Sequence, residues 1–175
     1  MELIREAVET FIRLWKSEVS PNAVLVSSDD IFEVTKPPSL VLQGPTVSEN
    51  AARRTPAKMF TTHPEDLAYD ERRHPRLYHL DFDVIATTGT EVELLTLMGK
   101  VARFYQVHTV MHIGDHGSLN LTELMPLGGL KRVNLSNLRQ ASGRCRIEDC
   151  PVYDGRVIYG QLIKEVLLRI NAQGE

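Results

Sequence analysis

The stretch from Arg76 to Gln106 constrains the fold most, because its apolar pattern changes period once within an uninterrupted segment. Its first half alternates like a β-strand, with one face formed by Tyr78, Leu80, Phe82, Val84 and Ala86 and the other by His79, Asp81 and Asp83. After Thr88 the spacing becomes helical, with an apolar stripe at Leu94, Leu95, Met98, Val101, Ala102 and Tyr105. Thr88 and Glu91 have the spacing of a capping box, which satisfies two free amides at a helix start. The sequence therefore predicts a strand, a tight turn and an amphipathic helix that folds back on the strand.

A second helix and several short strands complete the predicted fold. Residues 2–17 place apolar side chains, including Phe11 and Trp15, at helical spacing before Pro21 and Asn22 end the helix. Short strands are predicted at 23–26, 39–43, 107–113 and 119–124. The second of these is expected to end at Gly44-Pro45.

The C-terminal part carries a turn signal. Asp154-Gly155 lies between two extended runs, 144–152 and 156–170, and predicts a hairpin that joins them. Residues 156–170 also fit a helix, but the turn favours a strand. The predicted class is a single α+β domain over residues 1–175, with a mixed, mainly antiparallel sheet and two helices packed on one face.

Residues 46–75 differ from their surroundings. They have few apolar positions, and Pro56, Pro64 and Pro75 interrupt them. The segment is predicted to be an extended loop or arm, and loops beyond about 15 residues in a compact domain are usually functional or disordered. Its length indicates that the arm packs against something, such as another copy of the chain.

Composition excludes some classes of protein. A formal net charge of −3 and a pI of about 6.1 argue against a general nucleic-acid binder but leave room for a local basic patch. The basic residues of segment 46–75 have modest density and do not alternate with aromatic residues, so no specific nucleic-acid binding is predicted. No apolar run approaches the about 20 residues that cross a bilayer, and the N-terminus does not read as a signal peptide, so the cytoplasm is the default compartment. Cys145 and Cys150 fit a reducing compartment. Because an odd separation on a strand places two residues on opposite faces, they are expected to be independent structural thiols.

A metal site is the alternative that the histidines raise. His108, His112 and His116 are spaced by four residues, with Asp115 between the last two, and on one helix they could bind zinc. However, strand-forming residues and two glycines interrupt any helix here. On a strand, His108 and His112 would lie about 13 Å apart, too far for one ion. We therefore predict no metal site, and a metal-dependent enzyme using these four residues is the alternative.

The candidate site is a surface for contact between subunits. Asp81 and Asp83 share a polar strand face, which requires either water or a polar partner. There is no phosphate-binding loop and no serine-nucleophile elbow, so no catalytic or cofactor-binding residue is predicted. In an oligomer the carboxylates could meet arginines of a neighbour's arm. The predicted interface residues are Arg53, Arg54, Arg72, Arg73, Asp81 and Asp83.

A family resemblance follows from the order of three stretches: PPSLVLQGP, HLDFDVIATTGTEVELLTLMGKVARF and RCRIEDCPVYDGRVIYGQLIKEVLLRI. Together with the N-terminal helix and the arm, this order resembles the tail-terminator and neck proteins of tailed bacteriophages. The likeness is one of pattern and covers about two thirds of the chain. In those proteins a central strand of alternating character leads into an amphipathic helix, and a final hairpin runs along the sheet edge.

The resemblance implies a structural role without catalysis or cofactor. Six subunits would form a ring that ends the tail tube and joins it to the head connector. The implied partners are other copies of the chain, the tail tube protein and the head connector or completion protein, with no membrane. The protein would be assembled in the cytoplasm of the host bacterium and lie at the neck end of the virion tail. A head-completion or adaptor protein of the same neck is the nearest alternative.

Overall fold

The computed structural model describes residues 2–29, 37–129 and 137–161, which form two helices and two β-sheets. The helices are α1 (Glu2–Glu18) and α2 (Glu91–Val107). The strands are β1 (Ala23–Val26), β2 (Ser39–Glu49), β3 (Lys58–His63), β4 (Ala68–Arg73), β5 (Arg76–Thr88), β6 (Val110–His112), β7 (Ser118–Gly129), β8 (Arg139–Val152) and β9 (Val157–Gln161). Single 3-10 turns lie at Ala51–Arg53 and Gly114–His116.

The strands are divided between two sheets. The main sheet has the order β1-β2-β5-β8-β7-β6, and its strand pairs are antiparallel except for β1 with β2. The small sheet has the order β3-β4-β9 and is antiparallel throughout. The predicted α+β class, with two helices and a mixed, mainly antiparallel sheet, is confirmed.

The chain divides into two compact units. The main unit comprises residues 1–53 and 76–152, and the small unit comprises residues 54–75 and 153–175. Each unit contains one of the two sheets. That the whole chain forms one domain stays a prediction.

The hydrophobic core lies between the main sheet and both helices. The ring of Phe11 on α1 lies 5.0 Å from that of Phe82 on β5, and Trp15 lies 4.8 Å from Phe104 on α2. The predicted apolar face of β5 is buried from Leu80 onward, as its alternation requires. Burying each large apolar side chain stabilises the fold by about 1.5–3 kcal/mol relative to leaving it in water. Core burial therefore holds α1 and α2 on one face of the sheet.

The capping box of α2 lies two residues later than predicted. Thr90 accepts a hydrogen bond from the Glu93 amide at 3.3 Å, and the Glu93 carboxylate accepts one from the Thr90 amide at 3.2 Å. Thr88 instead ends β5, where it pairs with Arg139. Its hydroxyl donates to the Thr90 carbonyl at 2.8 Å. Strand β5 continues to Thr88 because β8 supplies pairing partners for its last residues. The local spacing of apolar residues does not reveal this long-range pairing.

The buried stripe of α2 also differs from the prediction. The buried positions are Leu94, Leu97, Val101, Phe104 and Tyr105. Leu95, predicted to face the core, is 60 % exposed, and Ala102 is exposed too. Helix α2 has apolar side chains on more than one side, so the residue spacing alone is compatible with either of two buried faces. The packing of Phe104 against Trp15 selects between them.

The region predicted to be a loop or arm, residues 46–75, contains regular structure. Residues 46–49 still belong to β2, which passes through Gly44-Pro45 with a bulge between Gln43 and Thr46 instead of ending there. Further along, β3 and β4 form a hairpin with six consecutive residue pairs. Every residue of β3 is exposed. The loop prediction was wrong because a strand without a buried face lacks the apolar alternation by which strands are recognised.

The hairpin predicted around Asp154-Gly155 was also wrong. β8 pairs with β5 and β7 in the main sheet, whereas β9 pairs with β4 in the small sheet. A turn signal predicts a reversal of the chain, but it does not predict which strands the two flanking segments pair with. Residues 162–170 of the predicted last strand lie outside the described residues. The strand predicted at 107–113 is shorter, at β6, because α2 continues to Val107.

Candidate subunit interface

The face of the main sheet opposite the helices carries paired charges on its two central strands. Arg146 of β8 lies opposite Asp81 of β5 and binds it through two hydrogen bonds, of 2.6 and 2.8 Å. The next pair on this face joins Arg144 to Asp83 at 2.8 Å. The predicted polar face of β5 therefore finds its partners within the chain, on β8.

The two pairs differ in exposure. The side chains of Asp81 and Arg146 are 22 and 29 % exposed, and those of Asp83 and Arg144 are 49 and 54 % exposed. The hydrogen bond with Asp83 raises the pKa of Arg144, and the hydrogen bonds with Asp81 raise the pKa of Arg146. Both guanidinium groups therefore remain charged, and the less exposed pair, Asp81 with Arg146, has two hydrogen bonds where the other pair has one.

Replacing Asp81 with asparagine should lower the free energy of unfolding by about 1–2 kcal/mol, because it leaves a half-buried guanidinium without its carboxylate. The same change at Asp83 should cost less than about 0.5 kcal/mol, since exposed ion pairs contribute little. Urea unfolding of both variants measures the contrast. Equal losses at the two positions would show that the pairs are equally important to the fold.

Arg53 belongs to the main unit. It ends the 3-10 turn after β2, and its guanidinium lies 3.0 Å from the Asp149 carboxylate. The amide of Asn50 donates to the same carboxylate at 2.8 Å. Asp149 has a φ of 55° and sits where β8 carries an extra residue opposite β5. Arg53 thus ties the end of β2 to an irregular point in β8.

This irregularity changes the placement of the cysteines. Ile147 pairs with Leu80 but Cys150 pairs with Tyr78, so β8 advances three residues while β5 advances two. Cys145 and Cys150 therefore lie on the same face, and both are buried in the core. The prediction of opposite faces was wrong because the bulge shifts the parity. Both cysteines are free thiols, as predicted.

The other predicted arginines lie in the small unit. Arg72 and Arg73 are the last two residues of β4. The guanidinium of Arg72 lies 3.7 Å from the Asp70 carboxylate, and that of Arg73 lies 4.0 Å from the Asp154 carboxylate. Arg54 lies in the segment before β3. That these arginines, together with Arg53, Asp81 and Asp83, contact a neighbouring subunit stays a prediction.

The three histidines of the metal hypothesis contact three different side chains. His108, at the end of α2, lies 2.6 Å from Glu18, and His112 lies 2.7 Å from the Ser118 hydroxyl. His116 lies 3.3 Å from Glu6, and Asp115 belongs to the same 3-10 turn. Within the described ranges, no three histidine, cysteine or acidic side chains are grouped to hold a metal ion. A single ion coordinated by all three imidazoles is not supported by this arrangement.

The buried titratable groups of the core are held neutral. Burial raises the pKa of the Cys145 thiol to about 12, and burial likewise raises the pKa of the adjacent Tyr105. Reactive cysteines need a lowered pKa and access to solvent. Cys145 has neither property, so the geometry gives it a packing role.

One surface cavity gathers acidic side chains between α2 and β7. It measures about 490 Å³, and its lining includes Glu123 and Glu148. Burial raises the pKa of Glu123, while Glu148 accepts a hydrogen bond from Thr122 at 2.9 Å. The lining is mainly polar, with two carboxylates, two threonine hydroxyls and two side-chain amides, and it contains none of the interface residues predicted from the sequence.

The chain matches no protein-family model, and no curated protein is significantly similar to it. None of the helices in the described part of the chain combines the length and apolar character needed to cross a membrane.

Proposed function

We propose that this chain is a structural protein of a tailed-bacteriophage neck. In this proposal six copies form a ring that terminates the tail tube and joins it to the head connector. The protein acts as a scaffold without a cofactor and resides at the neck end of the virion tail. Its partners are its own copies, the tail tube protein and the connector or completion protein.

The observation that carries the proposal is the polar face of the main sheet. Arg146 and Arg144 hold Asp81 and Asp83 in fixed positions there, while both helices pack on the other side. A ring subunit must present two different surfaces that meet when the subunits are rotated about one axis. A rigid face of ordered charges suits such a contact, because its side chains lose little conformational freedom on binding.

The first part of the order of elements supports the resemblance noted from the sequence, whereas the final hairpin that the resemblance implies does not form. A first helix, a strand, an inserted hairpin and a long strand that leads into the second helix follow one another along the chain. A head-completion or adaptor protein of the same neck would use similar surfaces and differ in partner and symmetry. The metal-dependent enzyme is less well supported, since His108, His112 and His116 have separate partners.

Reversing the charge of Asp83 tests the proposal. Asp83→Lys should weaken assembly while the subunit stays folded, because it places a second cation beside Arg144 on an exposed part of the face. Native mass spectrometry of the chain, alone and with tail tubes of the same virus, measures the assembly. Glu9→Lys is the control, since Glu9 is a similarly exposed carboxylate, 62 % exposed, on α1.

We expect hexamers for the natural chain and for Glu9→Lys, and smaller species for Asp83→Lys. Equal assembly of all three would remove the sheet face from the interface. A natural chain that stays monomeric with tail tubes present would contradict the ring itself. Stoichiometric zinc or manganese in the purified protein, lost on His112→Ala, would favour the enzyme instead.

A further inference from the structure

The small sheet has no interior of its own among the described residues. None of residues 54–75 and 153–161 is buried. Phe60 is 60 % exposed, Ile158 59 % and Tyr159 77 %. An isolated two-stranded hairpin is only marginally stable in water, and a third strand with an apolar face adds stability. Within the described residues, the small sheet leaves these apolar side chains open to contact by another surface.

One face of the small sheet is centred on aromatic and aliphatic side chains. The register places Phe60, Glu71 and Ile158 side by side across the three strands. The Phe60 ring lies 6.0 Å from that of Tyr69, which in turn packs over Gly160. We call Phe60, Tyr69 and Ile158 the aromatic face. Lys58 forms an ion pair with Glu71 on the same side, so a cation and an anion border the apolar centre.

The main unit carries an apolar groove of complementary character. The groove measures about 300 Å³ and lies between the end of α1 and the first half of α2. Its apolar walls are Val19, Pro21, Pro38, Val92 and Leu97. Val92 is 74 % exposed, and its neighbour Leu95 is 60 % exposed. Large apolar side chains left open around a groove are typical of a binding surface.

Charge complementarity favours a second copy of the chain as the occupant. Glu93 and Lys100 border the groove, as Glu71 and Lys58 border the aromatic face, so each cation can meet an anion when the two surfaces join. The described part of the small unit has five basic and five acidic residues, so it brings no net charge to the groove of the next copy. These residues are Arg54, Lys58, Arg72, Arg73 and Arg156, and Glu65, Asp66, Asp70, Glu71 and Asp154.

We infer that the aromatic face of one copy docks into the groove of the next copy, with Phe60 as the side chain that enters it. Because the two surfaces differ, the contact is heterologous, and repeating it gives a closed ring when the rotation between neighbouring copies is a whole fraction of a full turn. The inference rests on the proposed ring and adds a second contact between its subunits, separate from the polar face of the main sheet. It would also cover the apolar side chains that the described residues of the small sheet leave exposed.

Two variants and one control test the contact in the whole chain. Phe60→Ser and Val92→Ser should each weaken assembly at least tenfold while leaving the folded subunit intact, because both side chains are exposed in the monomer. Tyr159→Ser is the control, since Tyr159 is more exposed but pairs with Asp70, on the other face of the small sheet. Native mass spectrometry over a concentration series, with tail tubes where the chain needs them, measures the loss.

Mixed cross-linking tests the direction of the contact. Phe60→Cys and Thr96→Cys should form a disulfide between two chains when mixed under oxidising conditions, and neither should do so alone. Gln106→Cys, exposed further along α2, should not cross-link to Phe60→Cys. Cys145 and Cys150 are buried and should not interfere.

The outcomes separate this inference from the proposed function. Hexamers of Phe60→Ser equal to those of the natural chain would overturn the contact and leave the ring standing. A natural chain that never assembles would overturn both. If Phe60→Ser instead lowers the melting temperature of the monomer without changing assembly, another part of the same chain covers the face, and the inference is wrong.

Discussion

Replacing Trp15 with alanine is expected to lower the free energy of unfolding by about 3–5 kcal/mol, as truncation of a buried tryptophan typically does. Trp15 is fully buried and lies within 6 Å of three aromatic rings, at 5.9 Å from Phe11, 4.8 Å from Phe104 and 5.8 Å from Tyr105. It is thus the side chain through which α1 and α2 meet over the sheet. Its loss leaves a cavity that these rings cannot fill.

Two further variants sharpen this test. Trp15→Phe should cost less than Trp15→Ala, because it keeps an aromatic ring and removes an indole N–H that is buried without a partner among the described residues. Leu95→Ala should cost less than about 0.5 kcal/mol, since the side chain is mainly exposed. Urea unfolding monitored by far-ultraviolet circular dichroism, a signal that does not require the tryptophan, measures all three variants. A large loss at Leu95 would mean that α2 faces the sheet with the stripe predicted from the sequence.

Replacing Gly44 with alanine is expected to destabilise the protein by at least about 2 kcal/mol, through backbone strain and a steric clash. Gly44 has a φ of 144°, a conformation that side chains disfavour. A Cβ placed there would lie 2.7 Å from the backbone carbonyl oxygen of Asp81, which cannot move without disturbing β5. The bulge that lets β2 continue past Gly44-Pro45 therefore depends on this glycine.

Gly99→Ala is the matched control for that substitution. Gly99 lies within α2, and a Cβ there would meet nothing within 4 Å. The change should stabilise the protein by about 0.5–1 kcal/mol, because alanine loses less backbone freedom than glycine in a helix. Thermal and urea unfolding of both variants should give opposite signs. A neutral result at Gly44 would show that the bulge tolerates a side chain.

The elements with one buried face were the ones that sequence reasoning predicted well. The alternation from Leu80 to Ala86 marks burial on one side of β5, and the spacing of Phe11 and Trp15 marks the buried side of α1. Burial imposes a period of two on a strand and of 3.6 on a helix, so these faces are visible in the residue order.

Elements without a buried face were missed for the same physical reason. The hairpin of β3 and β4 has no buried residue, so its side chains follow no apolar period. The partner of β9 could not be read from Asp154-Gly155, because pairing with β4 depends on residues more than 80 positions earlier in the chain. The carboxylates of the candidate site were identified, but their partners Arg144 and Arg146 were not.

The order of residues is enough to predict the strand-and-helix unit from Arg76 to Gln106 and the α+β class, because both follow from local periods that burial imposes. The pairing of charges across β5 and β8 became visible only in the folded chain, as did the bulge at Asp149 that places Cys145 and Cys150 on one face. Register between distant strands is set by many long-range contacts acting together. No short stretch of residues determines this register, and the surfaces proposed for assembly depend on it.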